Sequence, residues 1–109
     1  PRKNISALET KAMRDAGKSL EEIARLRGIK TRRVIYHMQV LVRSGHKFDS
    51  NTFFSPERLA ELKRAFAQGK GRMLRPAAEK LYGATEMLMK SESEKEEIYL
   101  ELELARVFL

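Results

Sequence analysis

Gly28 restricts the possible folds of this chain more than any other residue. Ala24 stands four positions before it, Ile29 follows it directly, Val34 comes five positions after Ile29, and Ile23 precedes the set. A small side chain lets a neighbouring helix cross closely, a glycine accepts the positive φ of a tight bend, and apolar residues on both sides lock the crossing. The flanking signals agree. Ser19-Leu20-Glu21-Glu22 has the S-x-x-E form in which hydroxyl and carboxylate each satisfy an otherwise orphan backbone N–H, so a helix starts there and stops at Gly28. Thr31 reads as the cap of a further helix that continues to Ser44 and closes at Gly45. Two helices joined by so short a bend make a helix-turn-helix.

The remaining chain is also helical in pattern. Ile5, Leu8, Ala12 and Ala16 recur at helical spacing over Ile5 to Ala16, and Gly17 ends that helix. The second helix is expected to bury Leu20, Ile23, Ala24 and Leu26. Residues 46–54 form a polar connector that Phe48, Phe53 and Phe54 anchor. Ser55-Pro56 starts a fourth helix with Leu59, Leu62, Ala65 and Phe66 as its stripe. Pro76 is expected to open a short fifth helix ending near Gly83. The last helix is expected from Ser93, with Glu96 completing its capping box and Ile98, Leu102, Ala105 and Leu109 inward. No segment alternates apolar and polar residues as a strand requires. The expectation is an all-α fold of one domain over 1–109: a three-helix unit over 1–46, winged-helix-like but without a wing, a connector over 47–54, and a helical extension over 55–109.

Composition narrows the partners. The chain has 109 residues, 42% hydrophobic and 34% charged, a balance that supports a packed core and argues against disorder. It has no cysteine and two histidines, His37 and His46, nine apart. Neither a disulfide nor a zinc site is expected. No apolar run approaches the ~20 residues of a membrane span, and the start Pro1-Arg2-Lys3-Asn4 lacks the apolar region of a secretory signal. Without an initiator methionine, the chain reads as a piece of a longer protein, acting in a cytoplasm. Its net charge of +7 is polarised, with the excess of Lys and Arg in the first half and an acidic excess after residue 80. Such a molecule suits an anionic partner on one side.

The outward face of the third helix is the candidate binding surface. With Val34, His37, Met38 and Leu41 facing inward, Arg32, Arg33, Tyr36, Gln39 and Arg43 face outward, and Lys30 lies at the mouth. Early positions of such a helix reach base edges while basic flanks hold phosphates. Arginine bridges guanine acceptors, glutamine pairs with adenine, and tyrosine donates to phosphate. Three cations at a helix start oppose the helix dipole, which a polyanionic partner would offset; a merely solvated basic face is the other reading. Lys70 and Arg72, in Gly69-Lys70-Gly71-Arg72, are candidate secondary phosphate contacts, although the G-x-x-x-x-G-K-[ST] order of a P-loop is absent. His37 reads as a core-rim histidine, and Tyr36 either as a base-stacking residue or as a plain surface tyrosine. No nucleophile stands beside a base and no carboxylates pair, so no catalytic residue, cofactor or small-molecule substrate is expected. Ile35 and Val40 are expected to leave apolar surface on helix three, which keeps a protein-docking role open. A free-standing transcription regulator remains a further alternative and would require a dimer.

Gly17 to Gly45, reading GKSLEEIARLRGIKTRRVIYHMQVLVRSG, resembles the C-terminal helix-turn-helix domain of RecQ-type ATP-dependent DNA helicases. The shared features are the G-x-S/T-hydrophobic-x-x-I-A opening, the glycine turn, and the histidine beside an apolar residue at His37-Met38. Leu74-Arg75-Pro76 is similar to that family's L-(K/R)-P segment, and Glu97 to Leu109 to its closing helix. The chain departs in its longer Ala77 to Ser93 segment and in carrying arginines at 32 and 33, where small residues are more usual. The resemblance implies a parent that unwinds duplex DNA with ATP in replication, recombination or repair. The motor domains would lie upstream and act as a partner of this module, on the bacterial nucleoid.

Overall fold

The computed structural model describes the backbone of residues 2–109 and the side chains from Ser6 onward. Ile5, expected on the inner face of the first helix, lies outside the described side chains. Among the described residues there are seven α-helices and no strand, so the fold is all-α and no wing is present. Contacts divide the chain into two compact units, Pro1–Phe48 and Asp49–Leu109, the break falling inside the 47–54 connector.

The first unit packs α1 (Arg2–Asp15), α2 (Leu20–Arg27) and α3 (Thr31–Arg43) against one another. Helix α2 opens with the expected capping box: the Glu22 N–H donates to Ser19 Oγ at 3.1 Å, and the Ser19 N–H donates to Glu22 Oε1 at 3.1 Å. The backbone and side-chain bonds to Ser19 hold the Glu22 carboxyl below its ordinary range. Replacing Ser19 by Ala removes one half of this exchange and is expected to cost the unit about 1 kcal/mol, read as a lower urea midpoint at unchanged slope.

The two faces of unit 1 differ in how far they follow the pattern. Leu20, Ile23 and Ala24 are buried on α2, and α3 buries Val34, His37, Met38 and Leu41 as expected. Ile35 is buried as well, at 2% exposure, so the apolar surface anticipated there is absent. Leu26 is turned outward at 56% exposure. Helix α1 departs furthest. Ala7 and Thr10 are its fully buried residues, whereas Leu8, Ala12 and Ala16 are exposed. The inner face of α1 is thus rotated from the apolar stripe, because a polar cluster described below holds Thr10 inward.

The second unit contains a 3₁₀ turn at Ser50–Thr52 and helices α4 (Pro56–Gln68), α5 (Leu74–Tyr82), α6 (Ala84–Met89) and α7 (Glu92–Arg106). Phe54, Leu59, Leu62, Phe66, Met87 and Leu102 form most of its core, and Phe53 and Phe54 both pack on Phe108. Arg58 links three helices, with bonds to both Glu101 carboxylate oxygens at 2.6 and 3.0 Å and to the Tyr82 hydroxyl at 3.2 Å. Three boundaries differ from the expectation. Helix α5 begins at Leu74 rather than Pro76, which is possible because the first helical turn has no internal use for its N–H groups. Helix α6 falls inside the segment expected to be longer than usual. Helix α7 is capped by Ser91 with Glu94, not by Ser93 with Glu96. Both pairs satisfy the same local rule, and the earlier one adds half a turn of helix. Leu109, expected inward, is 47% exposed.

Candidate nucleic-acid interface

The turn between α2 and α3 is built from backbone bonds. Gly28 adopts φ 66° and ψ 33°. Its N–H reaches the Arg25 carbonyl at 3.3 Å, and the Ile29 N–H reaches the Ala24 carbonyl at 3.0 Å. This pair of bonds is a Schellman motif, which closes the orphan carbonyls of α2 and reverses the chain in one step. The Ala24, Gly28 and Ile29 pattern in the sequence is the signature of this geometry.

Thr31 is not the cap of α3. Lys30 occupies that position in extended conformation and makes no side-chain cap bond, and Thr31 is the first helical residue. The first turn of α3 therefore lacks the oxygen that usually accepts its N–H groups. It carries no acidic residue in that turn, while Lys30, Arg32 and Arg33 are all exposed. Backbone donors and three cations together make this end of α3 electrostatically suited to an anion.

The outward face matches the sequence reading at most positions. Arg32, Arg33, Tyr36 and Arg43 are exposed and Gln39 is half-buried. Lys30, Arg32, Arg33 and Tyr36, with Ile29, line an open groove of about 470 Å³. The Arg33 guanidinium lies 5.6 Å from the centre of the Tyr36 ring. Lys70 and Arg72 belong to the other unit. Lys70 is exposed, whereas Arg72 donates to the Arg106 carbonyl at 3.2 Å and its own carbonyl accepts from Arg106 at 3.1 Å. Gly69 has a packing reason to be glycine: a Cβ there would meet the Pro76 Cβ at 3.1 Å and the Ala65 carbonyl oxygen at 3.2 Å.

A buried polar cluster beneath the outward face was not anticipated. Arg27, at the end of α2, donates to Thr10 Oγ1, to Ser6 Oγ at 2.8 Å and to Glu9 Oε2 at 3.1 Å. Thr10 Oγ1 also lies 2.8 Å from His37 Nδ1, and the Arg27 guanidinium is 3.3 Å from the same nitrogen. A guanidinium has no acceptor, so His37 Nδ1 serves as acceptor and the ring proton sits on Nε2, 3.5 Å from Ser6 Oγ. Burial foremost, then the charges of Arg27 and Arg33, push the His37 pKa below its ordinary value. His37 is thus a neutral core-rim histidine that ties α3 to α1 and α2.

Charge is divided as sharply as packing. Residues 1–48 hold twelve Lys and Arg against four Asp and Glu, a net +8, and residues 49–109 hold ten against eleven, a net −1. The whole positive excess accompanies α3. Among the described residues no group of three or more His, Cys, Asp or Glu could hold a metal ion, and no helix is long and apolar enough to cross a membrane.

No curated protein and no solved structure matches the chain. A family profile described as a helix-turn-helix domain matches residues 6–90. The match runs from α1 through α6 and includes the Gly28 turn and all of α3, the elements that in such domains suggest DNA binding. By turn geometry, helix order and this match, the chain belongs to the helix-turn-helix domain family.

Proposed function

We propose that this chain is a non-catalytic DNA-binding module of a RecQ-like ATP-dependent DNA helicase, contacting DNA through the exposed face of α3. The observation that carries the reading is the start of α3, where uncapped backbone donors stand beside exposed Lys30, Arg32 and Arg33. The resemblance of Gly17–Gly45 to the RecQ C-terminal domain supports the choice of parent, whose motor domains would supply ATP hydrolysis and serve as a partner. The module itself needs no cofactor. Its place of action would be the bacterial nucleoid. Lys30, Arg32, Arg33 and Arg43 serve phosphates and base edges, with Tyr36 and Gln39 between them. Within the second unit by itself, Lys70 is a secondary phosphate contact, and Arg72 has less to offer because it already binds the last turn of α7.

Fluorescence anisotropy with a labelled duplex tests this. Affinity is expected to fall steeply with salt, each phosphate contact adding about −0.9 to the log–log slope. Arg32→Ala with Arg33→Ala is expected to weaken binding roughly a hundredfold and to flatten that slope by about two. Unchanged titrations would remove α3 from the interface. A second reading, docking onto another protein, is favoured by one observation in unit 2: Leu88 and Met89 on α6 are 71% and 81% exposed. Association of the chain with the parent's motor domains but not with DNA would support that reading instead.

A further inference from the structure

Beside the guanidinium groups that suit phosphate, the start of α3 has an aromatic ring and the apolar Ile29. Tyr36 is 44% exposed, so part of its ring is open to solvent. The Arg33 Cζ stands 5.6 Å from the ring centre, a cation–π contact that restrains both groups. The adjoining groove, shallow and open to solvent, is completed by Ile29, Lys30 and Arg32.

Paired bases do not use such a surface well. In a duplex the faces of the bases are covered by their neighbours, and only their edges and the thymine methyl are presented in the groove. A partly exposed ring beside the apolar Ile29 suits stacking on the π-face of a base, and that face is accessible only when the base is unpaired. Cations at Lys30, Arg32 and Arg33 match the phosphates on either side of it.

We propose that the groove between Ile29 and Tyr36 binds a single unpaired DNA base, stacked on Tyr36, with Lys30, Arg32 and Arg33 holding the flanking phosphates. This rests on the DNA-binding reading above and narrows its substrate from duplex DNA in general to DNA with an unpaired base, as at a bulge or a fork.

The test compares the full chain on three labelled DNAs of equal length: a fully paired duplex, the same duplex with one extra unpaired base, and the paired duplex with uracil in place of thymine. The expected result is a roughly five- to hundredfold preference for the unpaired base over the paired duplex. Tyr36→Phe is expected to keep the preference. Tyr36→Ala is expected to abolish it, so that the two affinities, measured on that same variant, become equal whatever its affinity for the paired duplex. As Tyr36 is a surface residue, an unchanged circular dichroism spectrum should accompany both variants. Equal binding to paired and unpaired DNA by the unaltered chain would overturn the inference and leave the DNA-binding reading standing. So would a loss confined to the uracil duplex, because the groove would then hold a thymine methyl of paired DNA. Binding to none of the three would overturn both.

Discussion

Arg27→Ala is expected to destabilise the first unit by about 2–3 kcal/mol, a large share of the 5–15 kcal/mol that holds a typical small domain together. The size follows from where the guanidinium ends. Its side chain is 12% exposed, and it donates to Ser6 on one turn of α1, Thr10 on the next, and the His37 side of α3. Glu9 contributes less, since its carboxylate is 62% exposed and surface ion pairs give at most about 1 kcal/mol. The cost arises mainly at Thr10, which is fully buried and would keep only His37 as a partner. Arg27→Lys is expected to lose most of the same stability, because one ammonium cannot reach acceptors spread along α1 and on α3. Urea denaturation followed by circular dichroism measures both, and a midpoint unchanged in Arg27→Ala would show that apolar packing alone seats α3.

Acidification should weaken the same unit through His37. In the folded state the ring is neutral and its pKa lies below the ordinary value of 6.5. Between those two values the unfolded chain binds the proton and the folded chain does not, so stability rises with pH there. The contribution is complete above about pH 6.5 and is lost as pH falls below it, at up to about 1.4 kcal/mol per pH unit, until the folded-state pKa is passed. A protonated ring would have no acceptor left for Thr10 and would face the Arg27 guanidinium at 3.3 Å. Midpoints measured from pH 8 to pH 5 should therefore drop for the unaltered chain, and His37→Gln, which cannot take up the proton, should flatten that drop. An equal decline in both would place the pH dependence elsewhere. Because His37 shares α3 with Arg32 and Arg33, unfolding at low pH would also remove the proposed DNA-binding face, although the added positive charge would by itself favour DNA.

Much of α3 was readable from the order of residues. Val34, His37, Met38 and Leu41 at helical spacing place Lys30, Arg32, Arg33, Tyr36 and Arg43 on the opposite side, and the structure exposes those five. Gln39, at the border of the two faces, is half-buried. Helix α1 shows where such reading stops. Its apolar positions Leu8, Ala12 and Ala16 face outward because Thr10 is claimed by His37, 27 residues away, and by Arg27, 17 away. Ser91 and Ser93 offered two capping boxes of equal local quality, and Arg72 was drawn to the end of α7 by a carbonyl 34 residues distant.

Residue order alone determined an all-helical chain, the reversal at Gly28, and the set of cations that α3 presents, since these depend on backbone bonds and side-chain spacing within about four residues. Tertiary structure decided which side of α1 is inner, which serine starts α7, and that a neutral His37 and a charged Arg27 meet at Thr10. Those outcomes depend on desolvation and on partners far along the chain, and no local rule ranks such partners before the helices pack.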